Sequence, residues 1–137
     1  MIRHFLDIDD LDKKELRTIL SLSKKIKHKP EKFLTLLKNK HLGLLFEKKS
    51  LRTRLSFVIG MQKLGGNVIE LDGQQVGFGK RESAKDMLNV ISQYIDVLMI
   101  RNNNHKQLKK LAALNALPII NGLSDYSHPC QILSDIF

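Results

Sequence analysis

The fold of this 137-residue chain is decided by residues 42–54, which read LGLLFEKKSLRTR. The apolar run Leu42–Phe46 predicts a buried strand. A polar loop, Glu47–Lys49, follows it, and a helix is predicted from about Ser50 to Leu64. A buried strand that leads through a short loop into a helix is typical of a parallel sheet covered by helices.

The rest of the chain repeats this alternation of strands and helices. Three further strands are predicted at Val68–Leu71, Asp96–Arg101 and Leu117–Ile120. Further helices are predicted after the capping box of Asp12 and Glu15, after Pro30, from Ser83 to about Tyr94, over His105–Ala116 and from His128 to Phe137. The segment Asp72–Arg81 contains three glycines and is predicted to be a mobile loop. The pattern predicts an α/β fold with three layers, in which a central parallel sheet of about four strands carries helices on both faces.

The net charge of +9 raises the question of an anionic partner such as nucleic acid. Residues 1–63 hold the whole excess, with 16 Lys and Arg against 7 Asp and Glu. Much of it lies on and just after one predicted surface helix. A solvated lysine-rich face is the simpler interpretation, because no aromatic residues are interleaved for base stacking and Trp is absent. We therefore expect no nucleic-acid partner.

Composition also limits the compartment and the kind of site. The longest apolar runs, such as Val97–Ile100, are too short to cross a bilayer, and the mixture of Arg3, His4 and Asp7 does not form a secretory signal. The single cysteine, Cys130, excludes an internal disulfide. Cys130 and the five histidines show no metal-ligand spacing. We expect a cytoplasmic protein with one compact core, no membrane contact and no metal.

The first candidate constellation is Ser50–Arg54, where a buried strand becomes a helix. Parallel sheets bind ligands at the carboxyl ends of their strands, and a helix N-terminus accepts a phosphate readily. Ser50 and Thr53 add hydroxyl donors, and Arg52 adds a planar fork that matches phosphate oxygens. On spacing alone, an ordinary helix cap with Arg52 and Arg54 as surface charges is an equally good interpretation.

Two further candidates follow the later strands. Arg101 ends the third predicted strand and would point into the ligand crevice, although a surface salt bridge explains it equally well. His128-Pro129-Cys130-Gln131 opens the last helix. His128 can donate a hydrogen bond to a carbonyl oxygen, and Gln131 offers both donors and an acceptor. No second histidine is placed to activate Cys130, so a buried inert thiol is the favoured interpretation.

Three motifs together resemble the carbamoyltransferase family. They are Ser-x-Arg-Thr-Arg after a strand (50–54), Met-Ile-Arg ending a later strand (99–101) and His-Pro-Cys-Gln opening a helix (128–131). The surrounding sequence is similar to the ornithine carbamoyltransferases in particular, with Arg3-His4-Phe5-Leu6, Gly65-Gly66 before Val68-Ile69, and Ile119-Ile120-Asn121-Gly122-Leu123. The resemblance runs over the whole chain.

The resemblance implies that the substrate is carbamoyl phosphate. Ser50, Arg52 and Thr53, with the backbone N–H groups around Leu51, would hold the phosphate. The amine of ornithine would attack the carbonyl carbon, phosphate would leave, and citrulline would form. Neither a metal nor an organic cofactor is implied.

The other matched residues would act on the carbamoyl group. Arg101 and His128 would polarise its carbonyl and stabilise the developing negative charge, as an oxyanion hole does. Gln131 would hold its amino group. Pro129 and Cys130 would belong to the same binding segment.

The resemblance also implies an assembly. Family members are trimers with sites at subunit junctions, so a homotrimer is expected in which the loop Asp72–Arg81 reaches a neighbour through Lys80. Residues 1–137 would form only the carbamoyl-phosphate-binding domain. The acceptor domain would be absent, to be supplied by a separately encoded chain, and the isolated chain is expected to be inactive. Two alternatives stay open: an inactive remnant or binding module, and aspartate as the acceptor.

Three positions depart from the family pattern. Leu51 stands where the family usually has a phosphate-facing Thr. Gly77 stands at the loop position where ornithine-specific members usually have Gln. The helix that normally reads Asp-Thr-Ala-Arg reads Asp86-Met87-Leu88-Asn89. Each change is expected to weaken ligand binding or subunit packing.

Overall fold

A computed structural model of the chain describes residues 1–76 and 83–137. Within these ranges four strands form one sheet: β1 (His41–Phe46), β2 (Asn67–Asp72), β3 (Val97–Arg101) and β4 (Ile119–Leu123). Their order is β2-β1-β3-β4, and all neighbouring pairs are parallel. The predicted parallel sheet of four strands is therefore confirmed.

Helices cover both faces of this sheet. Those in the described parts of the chain are α1 (Lys13–His28), α2 (Leu51–Lys63), α3 (Gly73–Val76), α4 (Ala84–Ser92), α5 (His105–Ala113) and α6 (Pro129–Ile136). Leu44 of β1 belongs to a core shared with α2, whereas Leu45 belongs to a second core shared with α4 and α5. Successive side chains of a strand point to opposite faces, so β1 serves both cores. The three-layer prediction is confirmed.

Some element boundaries differ from those that the sequence predicts. Pro30–Phe33 forms a 3-10 turn rather than an α-helix, and the residues after it continue with bonds of the same short range, such as Leu36 N–H to Phe33 O. Helix α5 ends at Ala113 rather than Ala116, before Asn115 takes a positive φ of 51°. None of the helices within residues 1–76 and 83–137 has the length and apolar character needed to span a membrane.

The predicted loops also differ. Asp72 ends β2, and Gly73–Val76 is a helical turn, so the first part of the predicted loop Asp72–Arg81 is regular structure. Its remainder falls in residues 77–82, which lie outside the described residues. Strand β4 runs over Ile119–Leu123, so it begins and ends later than the predicted strand Leu117–Ile120.

The N-terminal segment lies alongside β4. The N–H of Phe5 donates to Ile119 O at 2.8 Å, and the N–H of Asn121 donates to Phe5 O at 2.8 Å. This parallel bridge extends the sheet beyond β4. The sequence did not predict it, because one short polar stretch carries no strand periodicity.

The carboxyl ends of the four strands lie in register. Phe46 at the end of β1 pairs with Asp72 of β2 and with Arg101 of β3. Arg101 in turn pairs with Leu123 of β4. We call these four residues the strand-end row. The segments that follow β1, β3 and β4 therefore leave the sheet side by side, and the candidate residues lie in or next to them.

Candidate functional site

Helix α2 begins beside the strand-end row. Ser50 caps it from an extended conformation, and its Oγ accepts a hydrogen bond from Thr53 N–H at 3.4 Å. The N–H groups of a first helical turn have no partner within the helix, and they carry the positive end of its dipole. The segment after β1 thus presents a helix N-terminus at the edge of the sheet where the parallel strands end.

Arg101 joins this helix to β3. Its Nη1 donates a hydrogen bond of 3.0 Å to Oγ1 of Thr53, a residue that is only 9% exposed. The backbone of Arg101 is also fixed, because its carbonyl accepts from Glu47 N–H at 3.0 Å. The first two constellations singled out in the sequence are therefore in direct contact.

The other residues of the α2 start differ in what they contact. Arg54 forms an ion pair with Glu70, with 2.6 Å between Nε and Oε1. Arg52 is exposed and has no hydrogen bond or ion pair within residues 1–76 and 83–137. Leu51 is 69% exposed. Arg54 therefore has a structural partner, while Arg52 remains available to a ligand.

His128 lies at the start of α6 and interacts electrostatically with Arg101. Burial lowers the pKa of His128 most, the positive charge of Arg101 lowers it further, and Asp135 acts in the opposite direction. Its buried Nδ1 has no hydrogen-bond partner among the residues that the structure describes. The imidazole is therefore neutral at pH 7, with one ring N–H to donate.

The remaining residues of the His128 motif have separate environments. Pro129 is fully buried in the first turn of α6. Cys130 donates a weak hydrogen bond to Asn121 O at 3.7 Å, and burial raises the pKa of its thiol to about 11. Gln131 is exposed, and its Nε2 donates to Asp135 Oδ1 at 2.8 Å. The thiol is thus protonated at neutral pH, and Gln131 lies along the outer side of the helix.

Sequence reasoning missed Asn121 as part of this site. Asn121 is fully buried in β4, and its Nδ2 donates to Leu6 O at 2.9 Å and to Ser127 O at 3.1 Å. Its Oδ1 accepts from Leu123 N–H at 2.9 Å. The available signal was an Asn directly after the apolar pair that begins a strand, since a buried Asn is rare unless its polar atoms are satisfied.

A second residue that the sequence analysis missed is His105, which is buried at the start of α5. Its Nδ1 lies 2.7 Å from Ser124 Oγ, and its ring lies 4.9 Å from that of Tyr126. Ser124 in turn accepts from Ser127 N–H at 3.2 Å. These contacts connect the segment after β3 to the segment that leads to His128.

Two crevices flank the strand-end row. One of about 540 Å³ lies between α2 and β2, where Ser50, Leu51 and Glu70 contribute to its wall. The other, of about 860 Å³, is lined mainly by polar residues around the start of α5, among them Asn104 and Tyr126. Within the described residues, no three or more His, Cys, Asp or Glu side chains are grouped so that they could hold a metal ion.

Comparison with known proteins identifies the family of this chain. The family model described as "Aspartate/ornithine carbamoyltransferase, carbamoyl-P binding domain" matches residues 3–137. The chain belongs to this carbamoyltransferase family. Residues 3–137 correspond to the carbamoyl-phosphate-binding domain of the family.

Individual carbamoyltransferases show how much of the family is represented. The ornithine carbamoyltransferase of Methanopyrus kandleri is 41% identical over 137 residues, which cover 98% of this chain and 44% of that protein. The solved ornithine carbamoyltransferase from Pyrococcus furiosus superposes with a TM-score of 0.90 at 39% identity, covering 98% of this chain and 44% of that one. The chain thus spans less than half the length of the relatives it matches.

The departures from the carbamoyltransferase pattern have different locations. Leu51 lies on the exposed first turn of α2. Leu88 is fully buried in the core beneath α4, and Met87 packs against it in part. Asp86 is bonded to the cap of α4, with its Oδ2 accepting from Ser83 Oγ at 2.7 Å. Gly77 and the predicted subunit contact Lys80 lie outside the described residues.

Proposed function

We propose that the strand-end row of this chain binds carbamoyl phosphate, and that the chain is the carbamoyl-phosphate-binding part of an ornithine carbamoyltransferase. The observation that carries this proposal is the 3.0 Å hydrogen bond between Arg101 and Thr53. It joins a helix N-terminus, which suits a phosphate, to a strand-end arginine, which suits the adjoining carbonyl oxygen. The names of the relatives support ornithine as the acceptor.

In this proposal the phosphate binds at the first turn of α2. The hydroxyls of Ser50 and Thr53 and the backbone N–H of Leu51 donate hydrogen bonds to its oxygens. Arg52 adds a charged fork, which it can offer because no residue among 1–76 and 83–137 holds it in an ion pair. Arg54 stays with Glu70 and shapes the helix surface instead.

The carbamoyl carbonyl would lie between Arg101 and His128. When an amine attacks the carbonyl carbon, negative charge develops on the carbonyl oxygen, and preorganised donors stabilise it. Arg101 supplies a permanent positive charge. His128 supplies a neutral N–H, which its lowered pKa preserves at physiological pH.

The rest of the His128 motif would complete this half of the site. Gln131 would hold the carbamoyl amino group after giving up its exposed bond to Asp135, a change that costs only about 0.2–0.5 kcal/mol for a pair on one helix surface. Pro129 and Cys130 would line the same segment. The high pKa of the Cys130 thiol argues against a nucleophilic role.

The proposed reaction transfers the carbamoyl group without a cofactor. The amine nitrogen of ornithine bonds to the carbonyl carbon and loses a proton, while the bond from that carbon to the phosphate oxygen breaks. We assign none of the described residues to ornithine, so in this proposal the acceptor is held by protein outside these 137 residues. Family resemblance further suggests a cytoplasmic trimer with Lys80 at a neighbouring site.

A binding module without turnover is the second candidate function. The coverage of 44% of the relatives favours it for these residues on their own. Aspartate as the acceptor is a third candidate, because the family description includes it. Carbamoyl-transfer assays with ornithine and with aspartate, after addition of the separately produced acceptor domain of a relative, separate these candidates. Turnover with one amine identifies the acceptor, and no turnover with either amine favours the binding module.

The direct test is a phosphate titration of the 137-residue chain followed by ¹H–¹⁵N NMR. We expect inorganic phosphate, and more strongly carbamoyl phosphate, to shift the amide signals of Ser50–Thr53 and the side-chain signals of Arg101 and His128. Shifts confined to the lysines of α1 would contradict the proposal, because they would indicate only binding of an anion to a basic surface.

A further inference from the structure

Among residues 1–76 and 83–137, no hydrogen bond to its nitrogens holds the ring of His128 in place. Its buried Nδ1 has no hydrogen-bond partner among the described residues, and the side chain makes no capping bond to α6. The position of the ring therefore depends in part on the backbone that carries it. The residue before it, Ser127, is anchored through both its carbonyl and its hydroxyl.

The first anchor is Asn121 in β4. Its Nδ2 donates to the carbonyl of Ser127 at 3.1 Å, while its Oδ1 holds Leu123 N–H at 2.9 Å. The amide group of Asn121 therefore bonds both to Leu123, the last residue of β4, and to Ser127, the residue before His128. Asn121 is fully buried, so water does not compete for these bonds, and they are stronger than exposed ones.

The second anchor is Asp7 in the N-terminal segment. Ser127 Oγ donates to Asp7 Oδ1 at 2.6 Å, and the same oxygen accepts from Ile8 N–H at 2.8 Å. Asp7 is itself held near β4 by the two residues before it. Phe5 bonds to that strand through both its N–H and its carbonyl, and the carbonyl of Leu6 accepts from Asn121 Nδ2. The two anchors therefore share one support.

We propose that Asn121 and Asp7 are positioning residues for His128, acting through the carbonyl and the hydroxyl of Ser127. Neither residue touches the ligand in the proposed function. The positioning of His128 does not depend on the proposed function. Only its purpose, which is to hold the imidazole against the carbamoyl carbonyl, rests on that function. The charged groups that act on the imidazole are Arg101 and Asp135.

The test compares Asn121→Ala and Ser127→Ala with the unmodified chain. Ser23→Ala is the matched control, because Ser23 Oγ donates to Ile19 O at 2.8 Å on α1 and its loss removes one hydroxyl bond elsewhere. The readout is the NMR titration of the His128 ring, assigned with His128→Gln. We expect the pKa of His128 to rise towards 6.5 in both variants, since a loosened imidazole gains water and moves away from Arg101, and to stay unchanged in Ser23→Ala.

A role in stability alone would lower the melting temperature without moving this titration. An unchanged His128 titration in folded Ser127→Ala overturns the role of Asp7, and the same result in folded Asn121→Ala overturns that of Asn121. If Asn121→Ala does not fold, side-chain amide exchange decides: protection of the Asn121 NH₂ in the unmodified chain supports the proposal, and rapid exchange overturns it.

Inorganic phosphate affinity separates this inference from the proposed function. We expect both variants to bind inorganic phosphate as the unmodified chain does, because its proposed ligands lie on α2. We expect them to bind carbamoyl phosphate about tenfold more weakly, the loss that corresponds to one misplaced hydrogen bond. If the unmodified chain binds no phosphate but the titration of His128 still moves in both variants, the positioning role stands and the proposed function fails.

Discussion

Arg101 and Thr53 are 48 residues apart in the sequence and are joined by a hydrogen bond of 3.0 Å from Nη1 to Oγ1. The bond orients the guanidinium towards the first turn of α2. Interactions that are formed in advance cost no ordering when the substrate binds. The phosphate end and the carbonyl end of the proposed site are thus preorganised by one contact.

Thr53→Val removes this contact with little change in side-chain shape. We expect phosphate affinity to fall about tenfold, because a hydrogen bond to a charged group contributes about 1.5 kcal/mol at the low end. Calorimetric titration with inorganic phosphate measures the change. Thr18→Val on the exposed side of α1, where the hydroxyl bonds only to Lys14 O, should leave the affinity unchanged. Equal losses in both variants would argue against a specific role of Thr53.

Arg52→Ala removes a cation at the start of α2 that forms no ion pair with the part of the chain that the structure describes. We expect phosphate binding to weaken by at least ~1.5 kcal/mol, since a charged fork is lost from a helix N-terminus. Calorimetry measures the affinity of both proteins. Arg17→Ala, an exposed arginine of α1, is the control for net charge. Equal phosphate affinity in Arg52→Ala and the unmodified chain would refute the assignment.

Acid should destabilise the chain partly through His128. Its pKa is lowered in the folded state, so below 6.5 the unfolded chain binds the proton more readily than the folded one. The stability contribution is complete above 6.5 and is lost as the pH falls towards the folded pKa. Urea unfolding at about pH 7.5 and 5.5 measures the free energy of unfolding at each pH. Between these two values, that free energy should fall less in His128→Gln than in the unmodified chain. An identical loss would show that the imidazole is not desolvated.

Cys130 should react slowly with alkylating reagents in the folded chain. A pKa of about 11 in place of 9.0 leaves roughly a hundredfold less thiolate at pH 8. Mass spectrometry of iodoacetamide labelling, with and without urea, measures the two rates. Labelling of the folded chain as fast as that of the unfolded chain would contradict the burial of the thiol.

The 137-residue chain alone should not make citrulline at a useful rate. Holding the amine and the carbonyl carbon in near-attack geometry supplies roughly 7–11 kcal/mol of barrier lowering, and we assign no residue of this chain to the amine. The measurement is a citrulline assay at saturating ornithine and carbamoyl phosphate beside a full-length relative. Turnover within about tenfold of the relative, a barrier difference of only ~1.4 kcal/mol, would contradict this expectation.

The sheet could be predicted from the sequence because its central strands, β1 and β3, are buried apolar runs. Leu42–Phe46 and Val97–Ile100 have to lie inside a covered sheet, and the helical segments between strands dictate parallel pairing. The shorter elements could not be predicted in the same way. Pro30–Phe33 and Gly73–Val76 are single turns, for which apolar periodicity has too few residues to distinguish one helix type from another.

The site was predictable only in part, for a related reason. Ser50, Arg101 and His128 follow strands, and the topology rule for parallel sheets brings strand ends together. The anchors Asn121 and Asp7 act through hydrogen bonds between distant segments, which leave no periodic trace in the sequence. Such contacts become visible only when the neighbours of each buried polar atom are known.

The bond between Asp7 and Ser127 spans 120 residues, and it has a consequence for synthesis of the chain. Translation at about 5–20 residues per second separates the emergence of these two partners by roughly 6–24 s. The segment around Asp7 therefore cannot make these contacts until β4 and the turn after it have left the ribosome. Contacts of such large sequence separation also slow folding, because the chain loses the entropy of loop closure before the contacts can stabilise it. Residues 5–10 are thus made well before the partner of Asp7, and a nascent chain arrested before residue 127 should leave residues 5–10 open to proteolysis.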